Sequence, residues 1–196
     1  MAKPQDISRI FYGNLFPVAG EYVVDPAHSF AEFVAQHIIV GQVWGRFDFI
    51  SGVVRIADDP LLSSIEVSID TASVSIHNQD RDKDLRSERF FDVERFPKMT
   101  FVSTGVKTEQ GGQFTVHGDL TLRGVTRPVS LAVTFSGIVK DPWGKTRAAS
   151  QAITNVNRKD FGLIADLDRE TGGLLVGNDV TINIATEVLL KSTMLQ

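Results

Sequence analysis

A period of two governs most of this chain. Ile65, Val67 and Ile69 share one face of a run in which Ser64, Glu66, Ser68 and Asp70 share the other. Successive side chains of a strand point to opposite faces, so alternation with one wet face marks an antiparallel sheet. The pattern recurs in Phe114, Val116, Gly118, Leu120 and Leu122, set against Thr115, His117, Asp119, Thr121 and Arg123. It returns in Val129, Leu131, Val133 and Phe135. A turn at Gly124-Val125-Thr126 makes the two runs a hairpin, with Pro128 expected at the start of the returning strand because it lacks a donor. Val180, Ile182, Ile184, Thr186, Val188 and Leu190 form one more alternating strand.

The remaining segments fit the same class. Glu21 to Val24 is a short strand stopped by Asp25-Pro26. Phe30 to Gln36 carries apolar groups on both faces, so both sides are buried or one faces a cavity. A single helical turn is expected at His37 to Gly41. Gly45 and Gly52 bracket a strand from Arg46 to Ile56 and offer bending points for closure. Met99 to Val106 and residues 145–158 are further strands, and residues 160–178 a loop.

The alternation breaks between His77 and Phe101. Asn78 is a candidate N-cap, Asp80 and Asp82 fall in a first helical turn, and Arg86 and Arg89 in a last one, which suits the helix dipole. Phe90, Phe91 and Phe96 follow this charged run. The expectation is an all-β chain: a single extended antiparallel barrel of about eight strands with one helix inserted near residues 78–90. Closure removes exposed edges and leaves an interior that side chains or one slender ligand can fill. The domain is expected at 20–191, between a leader or arm at 1–19 and a tail at 192–196. The leader is expected to lie on the barrel or a neighbouring subunit, with a lid as the alternative.

Composition narrows the function. Twenty basic against twenty-four acidic residues give a net charge of −4 and no basic footprint for nucleic acid. The chain has no cysteine, which excludes disulfides, thiol catalysis and thiolate metal sites. Residues 1–20 lack the uninterrupted apolar run of a signal peptide, so a cytoplasmic location is expected. His28, His37, His77 and His117 show no metal-binding spacing, and there is no HExxH, G-x-S-x-G, G-x-G-x-x-G or P-loop motif. No cofactor is expected. Thirteen Phe against two Tyr suit an oily interior, whether dry core or ligand tube.

From about Tyr22 to Lys191 the chain resembles the YceI-like, or polyisoprenoid-binding, family. Asp25-Pro26-Ala27-His28-Ser29, Gly45-Arg46-Phe47 with Phe49 and Gly52, and Asn78 with Arg81-Asp82 and Leu85-Arg86-Ser87 carry the first part of the likeness. Phe90-Phe91-Asp92-Val93, Phe96-Pro97, the run Gly118 to Val129, and Asn157-Arg158 with Asp160-Phe161-Gly162 carry the rest. The resemblance implies a lipocalin-like barrel whose apolar tunnel holds a polyisoprenoid lipid or prenylated quinone for binding, transport or storage, without catalysis. Members are often exported, unlike the location expected from this leader. Ala148 and Ala149 stand where the family tends to have Gly or an aromatic nearby, a difference that bears on tunnel width.

On this reading the tunnel wall comprises Phe30, Phe47 and Phe49; Ile65, Val67 and Ile69; Phe101, Phe114, Val116 and Leu120; and Leu131, Val133 and Ile182. Phe90, Phe91 and Phe96 add ligand contacts. Asn78, Arg81, Asp82, Arg86 and Arg89 form the mouth, with Arg81 and Asp82 also expected to hold the helix to the barrel. Two other readings stay open: a lipid hydrolase or isomerase using His28, His117 or the Arg81-Asp82 pair, and a structural barrel with a filled core. A homodimer formed through the leader is compatible with all three, and transient membrane contact is a further expectation.

Overall fold

The alternating runs pair into one sheet that closes on itself. The computed structural model describes residues 7–11, 13–38, 40–109, 113–165 and 176–194. Its first two strands, β1 (Ser8–Phe11) and β2 (Asn14–Pro17), form a separate small hairpin. The barrel follows as β3 (Gly20–Val24), β4 (Phe30–His37), β5 (Gly41–Phe47), β6 (Ile50–Ile56), β7 (Ser64–Asp70) and β8 (Val74–Ser75). Helix α1 (Gln79–Arg86) precedes β9 (Lys98–Thr108), β10 (Gln113–Leu122), β11 (Val125–Lys140), β12 (Thr146–Asn157) and β13 (Val176–Leu190).

Three of the long strands are broken in two. Strands β3 and β4 both pair with β13, on either side of the Asp25-Pro26 kink. Strands β5 and β6 bend at Asp48-Phe49, and β7 and β8 at a 3-10 turn over Thr71–Ser73. With these rejoined, eight strands run up and down and close through β12–β13 and β13–β3. The strand expected from Arg46 to Ile56 is therefore two strands. The helical turn expected at His37 to Gly41 is the link between β4 and β5.

The closure is hydrogen-bonded around β3, β6, β7 and β9, but β8 is two residues long and pairs only with β5 among the described residues. The opening between β8 and β9 is filled by α1 and residues 87–97, which explains a lone helix in an up-and-down barrel. The β10–β11 turn is tighter than expected: Arg123 (φ 51°) and Gly124 (φ 72°) make it, and Val125 is already in the strand. Two positive φ values give the turn whose twist matches the strands it joins. Pro128 lies inside β11, opposite Asp119. Counting the ladder from the hairpin, its nitrogen points away from β10. Pairing with β12 begins only at Ala132, so no ladder bond is lost.

The two barrel ends differ. One carries α1, the β10–β11 turn, the β4–β5 link and a 3-10 segment, Arg158–Phe161. Its aromatic core joins Phe33 to Phe47 and Phe47 to Phe91, with ring centroids 5.8 and 5.3 Å apart. The other end carries the β1–β2 hairpin. Arg9 there bonds to the Asp58 carbonyl at 2.7 Å and to that of Ala57, and Phe16 packs on Phe114 with centroids 4.8 Å apart.

Candidate functional site

The inward faces of the barrel pack against one another only in part. They enclose a cavity of about 630 Å³, within the range of small-molecule sites. Its wall is the apolar set of the alternating strands: Ile65, Val67 and Ile69; Phe101, Phe114, Val116 and Leu120; Leu131, Val133 and Ile182. Phe47, Phe90 and Phe91 line it towards the helix end. Ile65, Val67, Ile69 and Ile182 are only half-buried despite facing inward, because each borders the cavity; Ile65, Val67 and Ile69 also pack against the core.

Phe30, Phe49 and Phe96 lie elsewhere. Along β4 it is Ala31, Phe33 and Ala35 that turn inward, so Phe30 faces out, with the Arg46 guanidinium 4.5 Å above its ring. Phe49 sits at the bend between β5 and β6 and is 66% exposed. Phe96 packs beneath Gly124, where an added Cβ would stand 2.8 Å from its ring.

The expected mouth residues divide by role. Arg81 lines the cavity beside Asp84 and Leu85, and its guanidinium is 3.8 Å from the Asp84 carboxylate. The other four do not line it. Asn78 caps α1, accepting the Arg81 N–H at 3.2 Å. Buried Asp82 accepts the Ser75 hydroxyl and the Ile76 N–H, both at 2.7 Å. Arg86 donates to the carbonyls of Ala72 (2.8 Å) and Val74 (2.7 Å). Arg89 is exposed and 3.9 Å from Asp84. Asp82 and Arg86 thus fasten α1 to the neighbouring strand and turn, and Asn78 caps the helix itself. Arg123, at the β10–β11 turn, adds another fastener, donating to the carbonyls of Glu88 and Gly162 at 2.6 Å each.

Other lining residues lack a strand pattern that would have marked them. His37, Gln42 and Trp44 border the cavity at the helix end, and Gln42 and Trp44 are also exposed, so the cavity opens there. Phe16 and Pro17, both buried, close the opposite end, and the β1–β2 hairpin acts as its cap. Tyr22 lines the same end, fully buried, with its hydroxyl donated to the Val18 carbonyl at 3.0 Å. Burial pushes its pKa up to about 12 against the lowering effect of Arg9.

Outside the cavity, Asp25, His28 and Glu187 bring ligand-type atoms within 4.8 Å of one another. Arg147 supplies the cation: its Nη1 is 2.6 Å from Asp25 and 3.2 Å from Glu187, and its Nε 2.9 Å from Asp141. Three carboxylates on one guanidinium form a latch between β12, β13 and the β3–β4 kink. His28 bonds to Asp25 at 3.0 Å and is absent from the cavity wall, and His117 bonds to Ser130 at 2.8 Å on the outward face of β10. Among the described residues, no His that lines the cavity has a carboxylate within hydrogen-bond reach.

A closed eight-stranded antiparallel barrel, with one helix at its mouth and an apolar cavity along its axis, defines a lipocalin-like protein. The chain belongs to the YceI-like family: the model of the YceI-like domain matches residues 22–188. It is 40% identical over 153 residues to the UPF0312 protein YE1254 of Yersinia enterocolitica, covering 76% of this chain and 79% of that one. Among solved structures it is similar to BcnA of Burkholderia cenocepacia, with a TM-score of 0.73 at 22% identity over 84% of this chain and 98% of that one. It is also similar to a polyisoprenoid binding domain from Saccharophagus degradans implicated in plant cell wall breakdown. That likeness has a TM-score of 0.65 at 19% identity, over 86% of this chain and 98% of that one.

Proposed function

We propose that the barrel binds one polyisoprenoid lipid or prenylated quinone, tail inward, and carries or stores it unaltered. The observation that carries this reading is the row of half-buried aliphatic side chains that borders the cavity. Each buried methylene-sized group of a prenyl tail contributes about 0.8 kcal/mol, so a long tail needs few polar contacts. Arg81 stands at the open end with only a loose ion pair, and it is the group placed to meet a phosphate, hydroxyl or quinone head. The Saccharophagus degradans domain, named for polyisoprenoid binding, supports the same class of ligand.

The test is organic extraction of natively purified protein with mass spectrometry of the extract, beside thermal melts with added prenyl alcohol. A prenyl lipid in the extract and a rise in Tm of about 5 °C or more at saturating ligand are expected. Extracts free of prenyl lipid, together with melts that added prenyl alcohol leaves unmoved, remove the reading.

A further inference from the structure

The β4–β5 hairpin ends in residues that its turn does not call for. Tight connections favour Gly, Asn and Asp, yet Ile38 and Val40 stand in this one. Ile38 has a φ of 46°, where a β-branched side chain crowds its own backbone. The Val40 N–H closes the link on the Ile38 carbonyl at 2.7 Å. Packing does not account for the choice: Val40 is 93% and Ile38 51% exposed. Ile164, 67% exposed, lies on an adjoining segment. Arg158 binds the carbonyls of Leu163, Ala165 and Val176, and Val176 pairs with His37.

The whole hairpin end is free of formal charge. Phe33 to Gly45, thirteen residues, contains no Asp, Glu, Lys or Arg in a chain that is 22% charged. Passing back from the tip, the cross-strand rows are Gln36 with Gln42, Val34 with Trp44, and then Glu32 with Arg46. Trp44 is 56% exposed, roughly 13 Å of strand behind Val40. An aliphatic tip, a row of uncharged amides, an indole and then charge keep formal charge out of the acyl region and place the aromatic ring at the interface, as a bilayer interface requires. The far end of the barrel also exposes Trp143 and Leu62, but Trp143 lies between Asp141 and Lys145, and Leu62 follows Asp58-Asp59. The charge-free tip is also continuous with the cavity, because Trp44 and Gln42 line its mouth.

We propose that the β4–β5 tip is a lipid-bilayer docking element. It inserts Ile38 and Val40 among acyl chains, holds Trp44 at the headgroup level, and sets the cavity mouth against the membrane. The cargo reading gives this docking its purpose, but the docking is measured without cargo.

The two tryptophans mark opposite ends, which makes each a control for the other. Trp143→Phe protein, with Trp44 as sole reporter, is mixed with phosphatidylcholine vesicles containing a minor share of phosphatidylglycerol and no prenyl lipid. A blue shift of Trp44 emission and its quenching by brominated acyl chains are expected, with neither for Trp143 in Trp44→Phe protein. Val40→Asp should lower vesicle partitioning about tenfold or more. Ile38→Asn, whose residue tolerates positive φ, should lower it severalfold without lowering the Tm. An unmoved Trp44, a shift at Trp143, or wild-type partitioning of both variants overturns the proposal. So does a lipid-free dimer that Val40→Asp dissolves, since the tip would then face a second copy. A Val40→Asp protein that no longer docks but still gains Tm with prenyl alcohol separates docking from cargo binding. Docking without any such gain leaves this proposal standing and removes the cargo reading.

Discussion

Arg147 Nη1 lies 2.6 Å from the Asp25 carboxylate, joining β12 to the kink where β3 becomes β4. Burial pushes the Asp25 carboxyl up, but hydrogen bonds from Arg147, His28 and the Ala27 N–H outweigh it and hold the group below its ordinary value. Asp141 is held low in the same way by Arg147 and the N–H groups of Lys145 and Trp143. A carboxylate depressed in the fold stabilises it above the unfolded pKa and loses that contribution as pH falls through the folded one. The Tm is therefore expected to hold above about pH 5 and to fall below about pH 4. Arg147→Met should lower the Tm at neutral pH by leaving these carboxylates without their cation, and should flatten the acid limb. An acid limb of unchanged steepness in the variant would show that other groups set it.

Asp82 governs the helix rather than the cargo. Asp82→Ala leaves the Ser75 hydroxyl and the Ile76 N–H without their acceptor, at a cost of about 2 kcal/mol. The loss should be local, with proteolysis appearing first between residues 79 and 97 and bound lipid exchanging faster. Global unfolding with no early cleavage in that segment would count against a separately fastened helix.

Arg81 should behave in the opposite way. Its guanidinium makes one ion pair at 3.8 Å and is not tied to a strand, so Arg81→Gln should leave the Tm within about 0.5 kcal/mol of wild type. Affinity for a prenyl diphosphate should fall about tenfold, and affinity for a headless prenyl hydrocarbon should hold. Equal losses for both ligands would remove Arg81 from head-group recognition.

The barrel was legible wherever one face of a strand is wet. In β7, β10, β11 and β13 the polar residues fix which side turns inward, and the cavity wall follows. β4 offered no such mark, because Phe30 and Phe33 stand on opposite faces and both are aromatic. Phe49 misled because a break at Asp48 ends the strand period just before it. The charged run announced a helix, its cap and its acidic first turn, but α1 ends at Arg86 and leaves Arg89, expected in its last turn, beyond it. Which of its charges would be spent on β8 depended on a strand that is only two residues long. The latch at Arg147 was not legible, since Asp141 is six positions from Arg147 but Asp25 is 122 positions away.

The distinction between an open tube and a filled core can be read from one position. Ile182 lies on β13 between Phe33 of β4 and Thr154 of β12, half-buried, with its side chain towards the cavity. A larger side chain in a packed core forces neighbours off their rotamers and costs about 1–3 kcal/mol. In a tube it enters empty space and buries its own surface. Ile182→Trp is therefore expected to keep or raise the Tm of the lipid-free protein while abolishing the further rise on adding prenyl alcohol. Val74→Trp is the control, because Val74 is fully buried in the packed core and does not line the cavity. That variant should be destabilised. Comparable destabilisation of both would mean that the interior is filled by side chains and that the lipid site must be sought elsewhere.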